Sequence, residues 1–227
     1  MNRLSYGLVA AVSCFVFSGG VAKGGVVFSS FVSGTIWPCC SGLDVAGASS
    51  SDGNQQFTAA AFTLNFASTL SEIDVAFWYP VAVPDQDGFT LSLNQDFQGV
   101  PGAPIETWRG LTAPSPLTLG PGPTSVVESV FAASTISLLP RQQYWVVASP
   151  ASPTSRVVWN LNAISSIGPG GIYGNSNNGV GWGVVNNPDL DLAFDVVGTP
   201  EPGTILLIFT VFAGLGGLGL FRKLRRA

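Results

Sequence analysis

The chain contains no histidine. That absence removes imidazole general acid–base chemistry, the Ser-His-Asp and Cys-His nucleophile arrangements, and nearly every zinc site. Cysteine is scarce as well, with only Cys14, Cys39 and Cys40. Charge is low at 10% of residues, and positive charge is almost missing from the middle of the chain. Up to Gly203, and leaving out Arg3, the cations are Lys23, Arg109, Arg141 and Arg156, against all thirteen carboxylates, a net −9. Phosphate contacts need Lys and Arg, so this balance excludes nucleic acid and acidic polymers as partners. A sustained 3.6-residue hydrophobic period is also missing between the two ends, which leaves no sequence basis for an amphipathic helix there.

What is present is most ordered at the ends. Met1–Ala22 has the layout of a secretory signal peptide: Arg3 in a positive n-region, a mostly apolar Leu4–Phe17, and small residues at Gly20-Val21-Ala22. Cleavage is expected before Lys23. At the other end, residues 199–227 read in three parts. Pro200-Glu201-Pro202 is a short stiff motif, two fixed-φ residues around one carboxylate. Thr204–Phe221 is an uncharged apolar run of eighteen residues, enough for a slightly tilted transmembrane helix across a hydrocarbon core of ~30 Å. Arg222, Lys223, Arg225 and Arg226 follow, a basic membrane stop that holds the terminus on the cytoplasmic side.

Pro-Glu-Pro, an apolar span and an Arg-rich end, in that order behind an export signal, resembles the PEP-CTERM sorting signal of Gram-negative bacteria. The resemblance implies three partners: the Sec export machinery, the inner membrane as a transient station, and an exosortase that cuts near Pro200-Glu201-Pro202. It implies a final place at the cell surface or in an extracellular polymer matrix. An ordinary tail anchor is the competing reading; it accounts for the span and the cations but not for the Pro-Glu-Pro.

The intervening residues 23–198, one domain's worth, are patterned as β-structure throughout. Val26–Val32 and Phe57–Phe66 are apolar and β-branched or aromatic runs. In Leu70–Tyr79, Ile73, Val75, Phe77 and Tyr79 alternate with Glu72, Asp74, Ala76 and Trp78. Phe89, Leu91 and Leu93 alternate with polar residues, and Leu190–Val196 alternates leucine, phenylalanine and valine with Asp191 and Asp195. Val126–Leu138, broken near Ala132, then Tyr144–Ser149, Val157–Leu161 and Val180–Val185 complete nine strands. Pro84–Gly88 reads as a hairpin turn, Gly99–Pro104 and Ala113–Pro123 as loops, and Gly168–Gly183 as a Gly/Asn-rich loop with short extended pieces. The expected fold is all-β, a two-sheet β-sandwich of jelly-roll-like type between a signal peptide and a C-terminal transmembrane helix.

A second resemblance covers Gln56–Val197. Gly99-Val100-Pro101-Gly102, Ile105-Glu106-Thr107-Trp108, Tyr144-Trp145-Val146-Val147-Ala148-Ser149-Pro150 and Trp159-Asn160 look like the choice-of-anchor domains of bacterial surface proteins. That likeness implies export and anchoring and brings no catalytic residues.

Site candidates are few. Cys39 and Cys40 are a candidate disulfide, either with each other in a strained turn or with another chain. Asp85 and Asp87 resemble the start of a calcium loop but lack the bidentate acid further on; a solvated turn is the simpler reading. Asp189, Asp191 and Asp195 share one face of the last strand. Trp159 with Asn160, Trp182 near several asparagines, and Trp78 fit the recipe for stacking a glycan, against the bland reading that such rings anchor the core. Glu72, Asp74, Glu106 and Glu128 supply carboxylates, but nothing in the sequence brings two to a glycosidase separation. Gly168-Pro169-Gly170-Gly171 lacks the helix and lysine of a phosphate loop, so no cofactor is expected. The reading is a non-enzymatic surface or matrix protein with a structural or adhesive β-sandwich, associated with exopolysaccharide; the alternative is a glycan-binding module using exposed tryptophans.

Overall fold

The computed structural model describes residues 24–31, 42–51, 53–79, 88–112, 126–162, 172–177, 181–186 and 191–201. Met1–Ala22, expected to be a signal peptide, Thr204–Phe221 and the basic residues Arg222, Lys223, Arg225 and Arg226 lie outside the described residues, as do Cys39, Cys40, Asp85, Asp87 and Pro202. Within them every regular element is a strand: β1 Gly25–Ser29, β2 Gly42–Ala46, β3 Gln56–Thr63, β4 Ser68–Trp78, β5 Phe89–Phe97, β6 Val100–Leu111 and β7 Val126–Phe131. They continue with β8 Ser137–Leu138, β9 Gln143–Pro150, β10 Arg156–Asn162, β11 Ile172–Asn177, β12 Gly183–Asn186, β13 Asp191–Leu192 and β14 Phe194–Pro200.

All named strand pairs are antiparallel. The ladder runs β1-β14-β4-β10-β2-β3-β9-β5-β6, with β7 and β8 on the other edge of β4, and β11 on β3. The alternation in β4 selects its inner face: Ile73, Val75 and Phe77 are fully buried and Tyr79 nearly so. They meet the inner residues of the other strands, Phe62 from β3, Phe89, Leu91 and Leu93 from β5, Tyr144 and Val146 from β9, and Trp159 from β10. Aromatic contacts cross the interior. Phe62 packs on Phe28 of β1 at 5.6 Å and on Phe194 of β14 at 6.1 Å, and Phe77 packs on Phe89 at 4.4 Å. The sheet thus folds over on itself, sandwich-like, with β1, β14, β4 and β7 facing β3, β9, β5 and β6.

The two halves are joined where the last strand changes partner. Leu192 pairs with Leu161 of β10, whereas Phe194 pairs with Val75 of β4. Ala193, fully buried between them, donates its N–H to the Asn160 carbonyl at 2.9 Å. Its own carbonyl accepts the Ala76 N–H at 3.1 Å and the Trp159 indole N–H at 3.0 Å. Ser30, 2% exposed, brackets the same place: its hydroxyl lies 2.6 and 2.8 Å from the Leu192 and Phe194 carbonyls and accepts the Phe194 N–H at 2.8 Å. The single run expected over Leu190–Val196 is therefore two strands, because its partner changes at Ala193.

Two further expectations are corrected. β4 and β5 do not form a hairpin, and they share no ladder. Both edges of β4 are occupied, by β14 and β10 on one side and by β7 and β8 on the other, so the chain must cross to the facing layer before β5. Gly99–Pro104 is not a loop. Gln98 and Gly99 form a two-residue turn with φ of 58° and 82°, and β6 begins at Val100 and passes through Pro101 and Pro104. Two positive φ values in succession mark the type I′ turn that suits tight hairpins. The prolines are tolerated because, among the described residues, β6 pairs only with β5, and the register shifts at Leu93/Asn94 and Asn94/Asp96 fall opposite them.

The sheet junction generates a stability prediction. Trp159→Phe keeps most of the buried volume but removes one of the two hydrogen bonds to the Ala193 carbonyl, and is expected to cost about 0.5–1.5 kcal/mol, whereas Trp159→Ala costs about 3–5 kcal/mol. Urea unfolding of both variants checks this; a Phe variant as stable as the native chain would show that the indole N–H bond adds nothing to the junction.

Candidate functional site

The last strand is the first element to consider, because the Pro-Glu-Pro motif begins on it. β14 passes the expected boundary at Gly198, with Thr199 opposite Thr69 and Pro200 opposite Ser68. Glu201 donates its N–H to the Ala67 carbonyl at 3.1 Å. Pro200 is exposed and Glu201 half-buried. Proline at the very end of a strand costs no internal ladder bond, so the sheet carries the chain into the motif without an intervening linker.

Beside this end, the two layers part to form an open cleft of about 360 Å³. Gln95 and Tyr144, the last inner-face pair of β5 and β9, form one wall. The segment Ser134–Ser137 and Leu139, leading into and out of β8, forms the other, with Ile105 and Gln142 at the rim. β8 is fixed on β4 by Ser68↔Leu138 and Thr69↔Ser137, and the Leu70 N–H donates to the Ile136 carbonyl at 2.9 Å. The Tyr144 hydroxyl accepts the Leu139 N–H at 2.8 Å. Ser68 and Thr69 therefore have β8 on one side and the end of β14 on the other, which sets the cleft and the motif at the same end of the sandwich. The far wall is also tied to β6: Glu106 Oε1 accepts the Ala133 N–H at 2.7 Å, and the Trp108 indole donates to the Phe131 carbonyl at 2.8 Å.

The glycan set expected from the sequence does not assemble. Trp159 and Asn160 are completely buried, and the Trp159 ring packs on Phe77 at 5.3 Å and Phe194 at 6.0 Å, so it presents no face to a ligand. The core recruits this ring because its N–H finds the Ala193 carbonyl. Trp78 is half-buried on the outer side of β4, with its indole nitrogen shielded from solvent and unpartnered. Trp182, also half-buried, lies over Ala59, Ala61, Trp145 and Val147 on the opposite layer's outer face. That second apolar cluster went unpredicted. Its signal was Tyr144–Ala148, apolar on both phases of the alternation, the pattern of a strand covered on both faces. Trp145, fully buried, donates its indole N–H to Asp96 Oδ1 at 2.8 Å, and Gln143 donates to the same oxygen at 2.9 Å.

The carboxylates form a different arrangement. On the outer face of the other layer, Ser29, Asp195, Asp74 and Ser129 stand in one row across β1, β14, β4 and β7, with Glu72 one step along β4. The Ser129 hydroxyl bonds Asp74 Oδ1 closely. Burial, and secondarily the Asp74 charge, pushes the Glu72 carboxyl up, and the Ser129 hydroxyl opposes this. Burial also raises Asp195, more than the Ser29 hydroxyl and the Phe31 N–H lower it, and the Asp74 charge adds to the rise. Asp191 and Glu128 are raised by burial alone. Glu128 stands opposite Val75, one layer face away from this row, and Glu106 belongs to β6. Among the described residues no group of three or more carboxylates or thiols converges on a metal position. The one ion pair among them, Arg156 to Asp44 at 3.0 Å, joins β10 to β2 and is structural.

No protein-family model matches the chain, and no curated protein matches it.

The acidic row gives a signed pH dependence. Because the folded state raises Asp195 above its ordinary 3.8, its contribution to stability is fully present below that value and is lost as pH rises through the raised one. Asp195→Asn imitates the protonated side chain. Its thermal midpoint is expected to exceed that of the native chain by a few degrees near neutral pH, and the gap to close on acidification toward about pH 4. Differential scanning calorimetry of the two proteins at both pH values checks this; a variant less stable at neutral pH would refute the assignment.

Proposed function

We propose that this chain is a non-enzymatic, exported surface or extracellular-matrix protein, released from a transient inner-membrane stage by an exosortase and delivered to the cell surface or its polysaccharide. The observation that carries the reading is the continuity of β14 into the motif. Pro200 and Glu201 stay bonded to the edge of β4, and the next residues lead at once into Thr204–Phe221 and its basic end. A domain tethered so closely needs a cut to leave the membrane, and the last of the described residues, Glu201, is still held by the sheet. Cleavage therefore falls on the C-terminal side of Glu201, or requires the end of β14 to peel from Ser68.

The fold supports the role. Its eight principal strands, β1, β3, β4, β5, β6, β7, β9 and β14, stand in the orders β1-β14-β4-β7 and β3-β9-β5-β6. Numbered by rank these are 1-8-3-6 and 2-7-4-5, the order expected if the sandwich is a jelly roll of two Greek keys. A closed pair of layers with an acidic outer face suits a soluble scaffold at a surface. The carboxylates do not argue for hydrolysis, since Glu72, Asp74 and Asp195 share one flat strand face while Glu106 and Glu128 belong to other walls.

Intact mass measurement tests the reading. The protein recovered from the surface fraction of its native host is expected to end within a few residues of Pro200-Glu201-Pro202, and a host lacking exosortase to retain the whole tail. Retention of Thr204–Ala227 in both hosts would make the chain a plain tail-anchored protein.

A further inference from the structure

We propose that the cleft between β5, β6 and the β8 segment is a binding site for a short neutral saccharide, of mono- to disaccharide size. It goes beyond the tryptophan platforms suggested by the sequence, and within the proposed function it gives the association with polysaccharide a location.

The argument is from the lining. About 360 Å³ lies at the small end of the ~300–1,000 Å³ typical of ligand pockets. The chain carries thirteen acids and nine cations, yet no side chain lining the cleft is charged. A phosphate, carboxylate or metal ion would find no countercharge there, and an ion is not held in a partly dry site without one. The polar groups are instead the amides of Gln95 and Gln142 and the hydroxyls of Ser134, Thr135 and Ser137. Amides and hydroxyls both donate and accept, as sugar hydroxyls do. Among them stand two apolar side chains that the fold leaves open, Ile105 at 36% exposure and Leu139 at 51%. Against these the C–H face of a pyranose ring can pack.

The site is also built rather than incidental. Its floor, Ile136 and Tyr144, is buried core. Its outer wall is pinned at three points: the Ile136 carbonyl on Leu70, the Leu139 N–H on Tyr144, and Ala133 on Glu106. Tyr144 accepts in its bond to Leu139, which leaves the hydroxyl proton free to donate. Groups held in place before the ligand arrives lose little entropy on binding. The cleft opens beyond the end of β5, where a chain end or a short loop of polymer can enter.

Saturation-transfer NMR on the full chain in detergent tests the assignment, with cellobiose, maltose and lactose as neutral probes and glucose 1-phosphate as the charged control. At least one neutral disaccharide is expected to receive saturation at millimolar concentration. Its affinity is expected to fall at least fivefold in both Gln142→Ala and Gln95→Ala, and to be unchanged in Trp182→Ala. Gln95 is exposed, so its variant keeps the native thermal midpoint even if the half-buried Gln142 variant does not. No transfer to any neutral probe, equal transfer to glucose 1-phosphate, unchanged affinity in Gln95→Ala, or loss in Trp182→Ala would each overturn the proposal. None of these results alters the mass of the processed chain, so failure here is separate from failure of the sorting reading.

Discussion

The fold depends on one buried carbonyl. Ala193 stands where the final strand leaves β10 and joins β4, and its oxygen accepts from both the Ala76 backbone and the Trp159 indole. A strand that changes layers exposes backbone groups that neither ladder can satisfy, and burying such groups unpaired costs about as much as a lost hydrogen bond each. Here the indole, the Asn160 carbonyl and the Ser30 hydroxyl take up these groups around the crossing. The aromatic set around it, Phe77, Phe194, Phe28 and Phe62, then closes the interior.

That closure makes the two outer faces and the two ends unequal. The β1-β14-β4-β7 face is lined with carboxylates and hydroxyls, whereas the other layer carries a second apolar cluster under Trp182 with Trp145 tied to Asp96. The layers meet tightly at the Trp159 junction and part beside β8. The parting yields the cleft, and the end of β14 that starts the Pro-Glu-Pro motif lies one strand away from β8. The cleft and the start of the Pro-Glu-Pro motif therefore share one end of the domain.

Several features were legible in the amino-acid sequence because they rest on local rules. Period-two alternation in Leu70–Tyr79 placed Ile73, Val75, Phe77 and Tyr79 inside, and Phe89, Leu91 and Leu93 did the same for β5. The break near Ala132 fell between β7 and β8. Other readings failed where the deciding partner is remote in sequence. Pro101 and Pro104 resemble a loop until β6 is known to be an edge, and the turn before β5 resembles a hairpin until both edges of β4 are known to be filled. Trp159 beside Asn160 resembles a stacking platform because a sequence records that a ring is amphipathic, not which of its faces meets water.

By itself the sequence determined the all-β character, the inner faces of the main strands, the lack of imidazole chemistry and the uneven charge. Each follows from composition or from alternation within a few residues. Tertiary structure alone decided which strands pair, that Trp159 is core, that Asp74 meets Asp195, and that uncharged residues from β5, β6, β9 and the β8 segment line one cleft. Those outcomes join positions far apart in the chain, such as Asp74 with Asp195 and Gln95 with Tyr144. Such contacts are set by competition among strand edges and by the filling of a shared interior, and neither leaves a local signal.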